Sequence, residues 1–238
     1  MRTIETRVRV ILLTVGIFLL LSGCALSPPR QLAAEDLARI RQEPPITVVV
    51  YQPPPPFHQS TRFQNAMGIM GGPVGYLVGY SQTTAAGAQT RGMLKLVDPS
   101  IRVRDQFVAG ITSEFGLPQP TMRDYIDSHD IERLRAALGP GVVLEFKTLN
   151  WEIFSETANP VAQDLFGFTY MGRARLIRLG EQKILWESMC GIVPVPRDKA
   201  TVHELQQNDG ALLKRWLIEA ADKCAKELIA KFSARSKP

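Results

Sequence analysis

The sequence predicts an α/β domain of the α+β type, in which a small mixed sheet packs against helices. Three strand-like runs lie close together in the C-terminal half, over residues 142–154, 166–179 and 183–190. An apolar stripe at helical spacing follows over residues 209–233, which is typical of a long amphipathic helix. Antiparallel C-terminal strands and this helix are therefore expected to form the body of the fold.

The N-terminal segment, residues 1–23, has the pattern of a secretion signal. Arg2, Arg7 and Arg9 make its start cationic, and an apolar run over residues 10–21 follows. That run of about a dozen residues suits a signal segment and is shorter than the ~20 residues that span a bilayer. An uncleaved membrane anchor is the alternative interpretation.

The tetrapeptide Leu21-Ser22-Gly23-Cys24 closes this segment and resembles the lipobox of bacterial lipoproteins. The resemblance implies cleavage before Cys24, a diacylglycerol on its thiol and an acyl chain, such as palmitate, on the new α-amine. Burying acyl chains contributes about 0.8 kcal/mol for each methylene, and two or more chains anchor a protein stably. Because Ala25 and not aspartate follows the cysteine, the resemblance also implies a periplasm-facing position on the outer membrane.

Residues 24–45 are predicted to be the lipidated cysteine and a periplasmic tether. Pro28-Pro29 and Pro44-Pro45 stiffen its ends, and residues 32–40 have room for two helical turns. About 20 extended residues reach at most roughly 70 Å, so the folded part is expected to stand off from the membrane. Residues 46–238 are then predicted to form one globular domain.

The first predicted strand is the β-branched run Ile46–Tyr51, which Pro53–Pro56 ends. Four consecutive prolines favour polyproline II, a conformation that aromatic grooves on partner proteins can bind. A stiff exit from the strand is the other interpretation.

A glycine-rich stretch, residues 66–92, is predicted to be an insertion in this domain. It has hardly a charge, and Gly71, Gly75 and Gly79 lie four residues apart. Small residues at that spacing let helices approach closely in membranes, which is typical of a segment for self-association or lipid contact. A mobile or tightly packed loop between the first strand and the next helix is the other interpretation. The apolar part is too short to span a bilayer, at about 15 residues against the ~20 required.

Two helices are predicted next, with a short strand at Thr121–Arg123 between them. The first is capped by Asp98 and ends at Gly116. The second extends from Asp130 to Leu138, with Ser128 as its cap.

The three long strands carry two further signals. Apolar alternation changes face near Leu149, which indicates a β-bulge, and Gly180 begins the turn of an antiparallel hairpin. In the last strand, alternation places Ile184, Trp186 and Cys190 on one face.

Cys190 and Cys224 remain as a pair once Cys24 is assigned to the lipid. Cys190 lies on the buried face of its strand, and Cys224 lies on the apolar stripe of the C-terminal helix. Two independent periodicities thus aim both thiols at one interface, in a compartment that permits disulfides. A disulfide is predicted, with two buried free thiols as the alternative. Two cysteines without a nearby histidine supply too few ligands for a metal.

No catalytic, cofactor-binding or metal site is predicted. The three histidines lie far apart, and a Gly-x-Ser-x-Gly turn is absent. The carboxylates of residues 124–132 lie before or at the start of the second helix, where negative charge interacts favourably with the helix dipole. A structural role is therefore expected for them. Glu152 and Glu156 would form a glycosidase pair only if folding placed them across a cleft.

Charge limits the classes of partner. The formal charge of +5 falls to +3 without the signal, which holds three arginines and one glutamate. Such a weak excess argues against nucleic-acid binding.

Two stretches resemble uncharacterised proteobacterial lipoproteins, a family that implies no activity. They are the glycine-rich stretch followed by Asp98-Pro99, and the C-terminal part with Leu185-Trp186, Asn208 and Ala221. The order of elements is also similar to the small α/β domain of curli-secretion and penicillin-binding-protein-activator lipoproteins, which implies an adaptor for a partner protein or an envelope assembly.

The leading hypothesis is therefore a non-enzymatic, lipid-anchored adaptor that binds a periplasmic or envelope protein. The second is an oligomeric envelope or secretion component that uses Gly68–Gly92 for assembly or membrane contact. The third is a cell-wall hydrolase.

Overall fold

The described part of the chain begins with a short helix and ends with a long one. The computed structural model describes residues 30–43, 45–61, 72–123, 125–155, 164–192 and 199–233. The elements in order are α1 (Ala34–Ile40), β1 (Thr47–Val50), β2 (His58–Ser60), α2 (Gly72–Leu94), α3 (Pro99–Phe115), β3 (Thr121–Met122), α4 (Ile131–Leu138), β4 (Val142–Ser155), β5 (Phe166–Arg178), β6 (Lys183–Ile192) and α5 (Val202–Ser233). The predicted signal segment lies outside the described residues.

The strands form one mixed sheet in the order β3-β1-β4-β5-β6, and β2 pairs with a further part of β4. β1 is parallel to both β3 and β4, and β2 is also parallel to β4. The long strands β4, β5 and β6 are antiparallel. The predicted fold class, a small mixed sheet with antiparallel C-terminal strands packed against helices, is confirmed.

One face of the sheet packs against α3 and α5 and holds the main core. Phe107 of α3 is fully buried at its centre. Its ring centroid lies 5.5 Å from that of Phe146 in β4, 5.6 Å from Trp186 in β6 and 5.7 Å from Phe232 in α5. This aromatic cluster therefore joins both helices to two strands.

The opposite face of the sheet carries a smaller apolar cluster against α4. Leu134 of α4 packs there against Val49, Val143, Ile177 and Leu179. Further along β4 and β5, the alternate positions on this face hold charged side chains.

The ends of α3 lie where the sequence predicts them. The Asp98 carboxylate accepts a 2.9 Å hydrogen bond from the Ser100 N–H, and Gly116 follows the last turn in the left-handed region with φ 59°. The start of α4 differs from the prediction, because Asp130 and not Ser128 is its cap. Asp130 accepts a 3.0 Å hydrogen bond from the Arg133 N–H.

The predicted β-bulge in β4 lies at Leu149, where the pairing with β5 shifts register. A second shift, at Leu185 in β6, was not predicted. As a result Ile184 packs in the smaller cluster, whereas Trp186 and Cys190 pack in the main core. The prediction of one shared face was wrong for Ile184, because the extra residue reverses the alternation.

Residues 30–40 belong to the fold, which corrects the predicted tether over residues 24–45. The carbonyl of Arg30 accepts a 3.0 Å hydrogen bond from the N–H of Glu187 in β6. Three apolar side chains of the segment are buried in the main core, namely Leu32, Leu37 and Ile40. The two helical turns expected here are stabilised by this packing.

A buried ion pair also holds α1 to β5. The Asp36 carboxylate accepts hydrogen bonds from Arg178 at 2.9 Å and from Lys183 at 3.0 Å, and the Asp36 and Arg178 side chains are 7% and 5% exposed. Burial acts to raise the pKa of Asp36, but the hydrogen bonds from Arg178 and Lys183 outweigh burial and hold that pKa below its ordinary value.

Replacing Asp36 by asparagine should therefore lower the free energy of unfolding by about 2 kcal/mol at neutral pH, because hydrogen bonds to a charged group are lost. The contribution of Asp36 is present above its unfolded pKa and is lost as pH falls through its lower folded pKa. Denaturant unfolding at neutral and acid pH should show a smaller acid-induced loss for Asp36→Asn than for the wild type. Glu35→Gln, at an exposed neighbour, is the control, and equal acid sensitivity of Asp36→Asn and the wild type would contradict the prediction.

The C-terminal helix α5 contains a break before its long part. The backbone leaves helical geometry from Gln207 to Gly210, and Gly210 has φ 73°. A Cβ at Gly210 would also lie 2.8 Å from Leu94 Cδ1 at the end of α2. The long part that follows agrees with the helix predicted over residues 209–233.

Candidate functional site

Two of the three cysteines lie in the described part of the chain. Cys24, the predicted lipid site, lies outside the described residues. Cys190 and Cys224 are joined by a disulfide between β6 and α5, with their Cα atoms 5.2 Å apart. Both are buried, at 1% and 0% exposure, so this bond is a structural link in the core.

The side chains considered for catalysis or metal binding do not converge. His58 lies on β2 beside Thr84 of α2, His129 precedes α4 next to Tyr51, and His203 lies at the start of α5. Within the described ranges, no group of three or more His, Cys, Asp or Glu side chains could hold a metal ion.

Three other acidic side chains, Asp130, Glu152 and Glu204, have partners within three residues in the sequence. Asp130 caps α4, and Glu204 forms a capping box with Thr201, with hydrogen bonds of 2.8 Å and 3.2 Å in the two directions. Glu152 accepts a 3.3 Å hydrogen bond from Asn150. Glu156 lies outside the described residues, so the glycosidase pair stays untested.

The candidate site is α2, a helix of 23 residues in which Arg91 is the one charged residue. It occupies most of the glycine-rich stretch, so the interpretation of that stretch as a packed loop was wrong. Five glycines lie in this helix, each costing roughly 1 kcal/mol in helix propensity. Contacts with the rest of the fold must therefore stabilise it.

The inner face of α2 is fixed against β2 and β4. At Gly87 the chain of Phe57 passes so close that an added Cβ would overlap its carbonyl group. Thr90 donates a 2.7 Å hydrogen bond to Gln59, and the Arg91 guanidinium lies 5.1 Å above the Trp151 ring. The single charge of α2 is thus turned inward.

The outer face of α2 exposes large apolar side chains to solvent. Leu77, Val78, Tyr80 and Met93 are 66%, 44%, 49% and 51% exposed. The other exposed residues between Leu77 and Met93 have small or uncharged polar side chains, namely Ser81, Gln82, Ala85, Ala88, Gln89 and Gly92. Leu77 to Met93 therefore present an uncharged surface, hereafter the α2 surface.

Three hydroxyl groups of α2 bind the helix itself. Ser81 donates to the Val78 carbonyl at 2.9 Å, and Thr83 and Thr84 both donate to the Tyr80 carbonyl at 2.9 Å. This local bonding satisfies the hydroxyl donors without water. It lowers the cost of covering the helix with an apolar partner.

A groove of about 410 Å³ lies between the start of α3 and α5. Val97 and Ile218, 64% and 46% exposed, lie on its rim. Arg102 crosses from α3 to Asp222 of α5 with hydrogen bonds of 2.6 Å and 3.0 Å. Charges of both signs surround this groove, in contrast to the α2 surface.

No helix in the described part of the chain combines the length and apolar character that a bilayer span requires.

Comparisons with known proteins show distant likeness. No protein-family model matches the chain, and no curated protein matches it in sequence. Among solved structures, a DUF330-family protein from Xanthomonas campestris, XCC0632, is 12% identical with a TM-score of 0.33; the match covers 56% of this chain and 61% of that one.

Matches with two further solved structures cover nearly all of those chains. A PelC dodecamer from Paraburkholderia phytofirmans is 10% identical with a TM-score of 0.32, covering 87% of this chain and 95% of that one. The lipoprotein GNA1162 from Neisseria meningitidis is 14% identical with a TM-score of 0.25, covering 75% and 96%. Identities and TM-scores this low carry no conclusion about function.

Proposed function

We propose that the protein is a lipid-anchored, non-enzymatic adaptor that faces the periplasm from the outer membrane and binds a protein partner through the α2 surface. The single observation that supports it is an exposed helix surface of large apolar and small uncharged side chains. A partner that covers this surface would remove apolar area from water, and such burial contributes roughly 25 cal/mol of binding free energy for each Å². The area comes from four side chains, Leu77, Val78, Tyr80 and Met93.

The chemistry of the α2 surface defines the partner. Because its one charge, Arg91, stacks on Trp151, the surface offers no charge for an ion pair. The hydroxyls of Ser81, Thr83 and Thr84 are already bonded to the helix. An uncharged, apolar protein surface is therefore the complementary partner, with shape and not charge providing specificity.

A second candidate function is assembly of several copies through the same helix. It is favoured by the small outward side chains of Ala85, Ala88 and Gly92, which would allow two α2 helices to approach closely. The hydrolase hypothesis has no comparable support from the described residues.

Crosslinking in intact cells tests the proposal. A photo-crosslinking residue at Val78 or Gln82 of the full-length protein should form an adduct with a discrete second protein, identified by mass spectrometry. The same residue at Ala136, exposed on α4, is the control and should give no such adduct. An adduct of two copies would favour assembly, and adducts with lipid alone would overturn both functions.

A charge placed on the α2 surface should weaken the adduct. Ala85→Lys should lower its yield at least tenfold, as expected when an unpaired charge is buried in an interface. Ala136→Lys, the same change at another exposed helix position, should leave it unchanged. Cys24→Ala tests the anchor separately, because it should leave an uncleaved precursor without palmitate label.

A further inference from the structure

A cluster of five charged side chains lies on the sheet face opposite α3 and α5, beyond the apolar cluster under α4. It consists of Glu145 and Lys147 on β4, Arg173 and Arg175 on β5, and Glu187 on β6. Three cations thus share two carboxylates. The excess is positive, although the face lies in the middle of the sheet, where water reaches the charges poorly.

Arg175 and Glu145 form the satisfied part of this cluster. Arg175 Nε donates to Glu145 Oε2 at 3.0 Å, and Arg175 Nη2 donates to the His129 carbonyl at 2.8 Å. The Glu145 side chain is 1% exposed. In this pair, Glu145 Oε2 and the Nε and Nη2 atoms of Arg175 are therefore hydrogen-bonded.

Lys147 and Arg173 form the unsatisfied part. They are direct cross-strand partners in the pairing of β4 with β5, and like charges in that position repel each other. Arg173 has carboxylate oxygens at 3.6 Å (Glu145) and 3.4 Å (Glu187). Both distances exceed those of ordinary charged hydrogen bonds. Among the described residues, Lys147 has no carboxylate partner and rests 4.4 Å above the Tyr51 ring.

The free donors of Arg173 lie on one edge of its guanidinium. Its Nε and Nη2 atoms are buried and have no hydrogen-bond acceptor, and Glu145 Oε1 has no donor. Nη2 lies 3.6 Å from Glu145 Oε1, so Glu145 is its nearest carboxylate, whereas Nε has no hydrogen-bond acceptor. Nε and Nη2 together form the planar pair of donors that binds a carboxylate through both oxygens.

The surroundings are consistent with a missing negative charge. Burial and the neighbouring Arg173 lower the pKa of Lys147, although Glu145 opposes them. Burial and Arg175 lower the pKa of Arg173, although Glu145 and Glu187 oppose them. Lys147, followed by burial, lowers the pKa of His129, while Arg173 and Arg175 add to that effect and Glu145 opposes it. His129 contacts Tyr51 edge-on, with ring centroids 5.6 Å apart, so a histidine reports on this site.

We infer that Lys147 and Arg173 form a binding site for an oxyanion on this sheet face, with a carboxylate as the preferred class. The carboxylate would lie between the two cations, accept from Arg173 and Lys147, and have Tyr51 and His129 as its side wall. The site is separate from the α2 surface and does not depend on the adaptor function.

Histidine NMR of the full mature chain in detergent tests the site. Imidazole shifts of the three histidines are followed against pH in acetate, inorganic phosphate or chloride at equal ionic strength, which holds general screening constant. Acetate should raise the pKa of His129 toward its ordinary value of about 6.5, because a bound anion offsets Lys147. His58 and His203 serve as internal controls and should not respond.

Variants separate binding from general charge effects. Lys147→Gln should raise the pKa of His129 without any anion and remove its response to acetate, whereas Lys226→Gln, exposed on α5, should retain the full response. The inference is overturned if acetate leaves His129 of the wild type unchanged, or if Lys147→Gln still responds. A response to phosphate without one to acetate would overturn the carboxylate class. Because Lys147 is partly exposed, its replacement should leave the fold intact, which the unchanged shifts of His203 would verify.

Discussion

Removing the Phe107 ring should destabilise the protein more than any other single change considered for this fold. Phe107→Ala is expected to lower the free energy of unfolding by about 3–5 kcal/mol, the range for aromatic truncations in cores. The side chain is fully buried and contacts the rings of Phe146, Trp186 and Phe232. Helix α3 cannot move inward to fill the space, because the strands and α5 already surround it. Urea unfolding of both proteins measures the difference.

Ile218→Ala is the control for that measurement. Ile218 is 46% exposed on α5, and its truncation should change the free energy of unfolding by no more than about 0.5 kcal/mol. A loss below about 1 kcal/mol for Phe107→Ala would mean that the aromatic cluster does not pack as described.

Reduction of the Cys190–Cys224 bond should have the second largest effect. The two residues are separated by 34 positions, and a bond closing such a loop restricts the unfolded chain by about 3–4 kcal/mol in the chain-entropy model. The wild type should therefore unfold at lower urea concentration with reductant than without it. Cys190→Ala should be less stable without reductant and should lose nothing more when reductant is added.

Cys24→Ala is the matched control for the cysteine variants. It replaces the cysteine that is predicted to carry the lipid and keeps the Cys190–Cys224 pair, so the effect of reductant should persist. Two reactive thiols at positions 190 and 224 in denaturant without reductant would contradict the bond.

Elements whose ends are marked by local chemistry could be predicted from the sequence. Asp98 and Gly116 mark the ends of α3, and both residues have the conformations that cap and end a helix. The bulge at Leu149 was visible because the apolar alternation changes face there. The disulfide followed from two periodicities that meet in the core. In each case the signal lies within a few residues of its effect.

Features that depend on distant contacts could not be predicted. The helical turns of α1 are expected from the sequence, but their packing against the sheet is not, because Asp36 is bonded to Arg178, 142 positions away. Strand β2 has three residues and pairs with the far end of β4. Helix α2 is rich in glycine, and the contact of Gly87 with Phe57 that holds it is invisible before folding. In these elements tertiary contacts outweigh weak local propensity.

The candidate sites were visible in part. The lack of charge over residues 66–92 was evident, but which side of that stretch faces solvent depends on how β2 crosses it. Arg173 and Arg175 lie two residues apart in the sequence, which is the spacing of one strand face. That Lys147 lies directly opposite Arg173 depends on the register between β4 and β5, which the bulge at Leu149 changes. The alternation within each strand does not predict how the two strands are aligned with each other.

The backbone contact of Arg30 with β6 changes how far the domain can search for a partner. With the lipid on Cys24, as the sequence predicts, six residue steps separate the anchor from the fold, and they extend at most about 20 Å. Compared with a tether of roughly 70 Å, the accessible volume is smaller by about 40-fold, since it scales with the cube of length. A linker this short raises the effective concentration of the domain near the membrane. On that premise, the domain would stay close to the membrane surface.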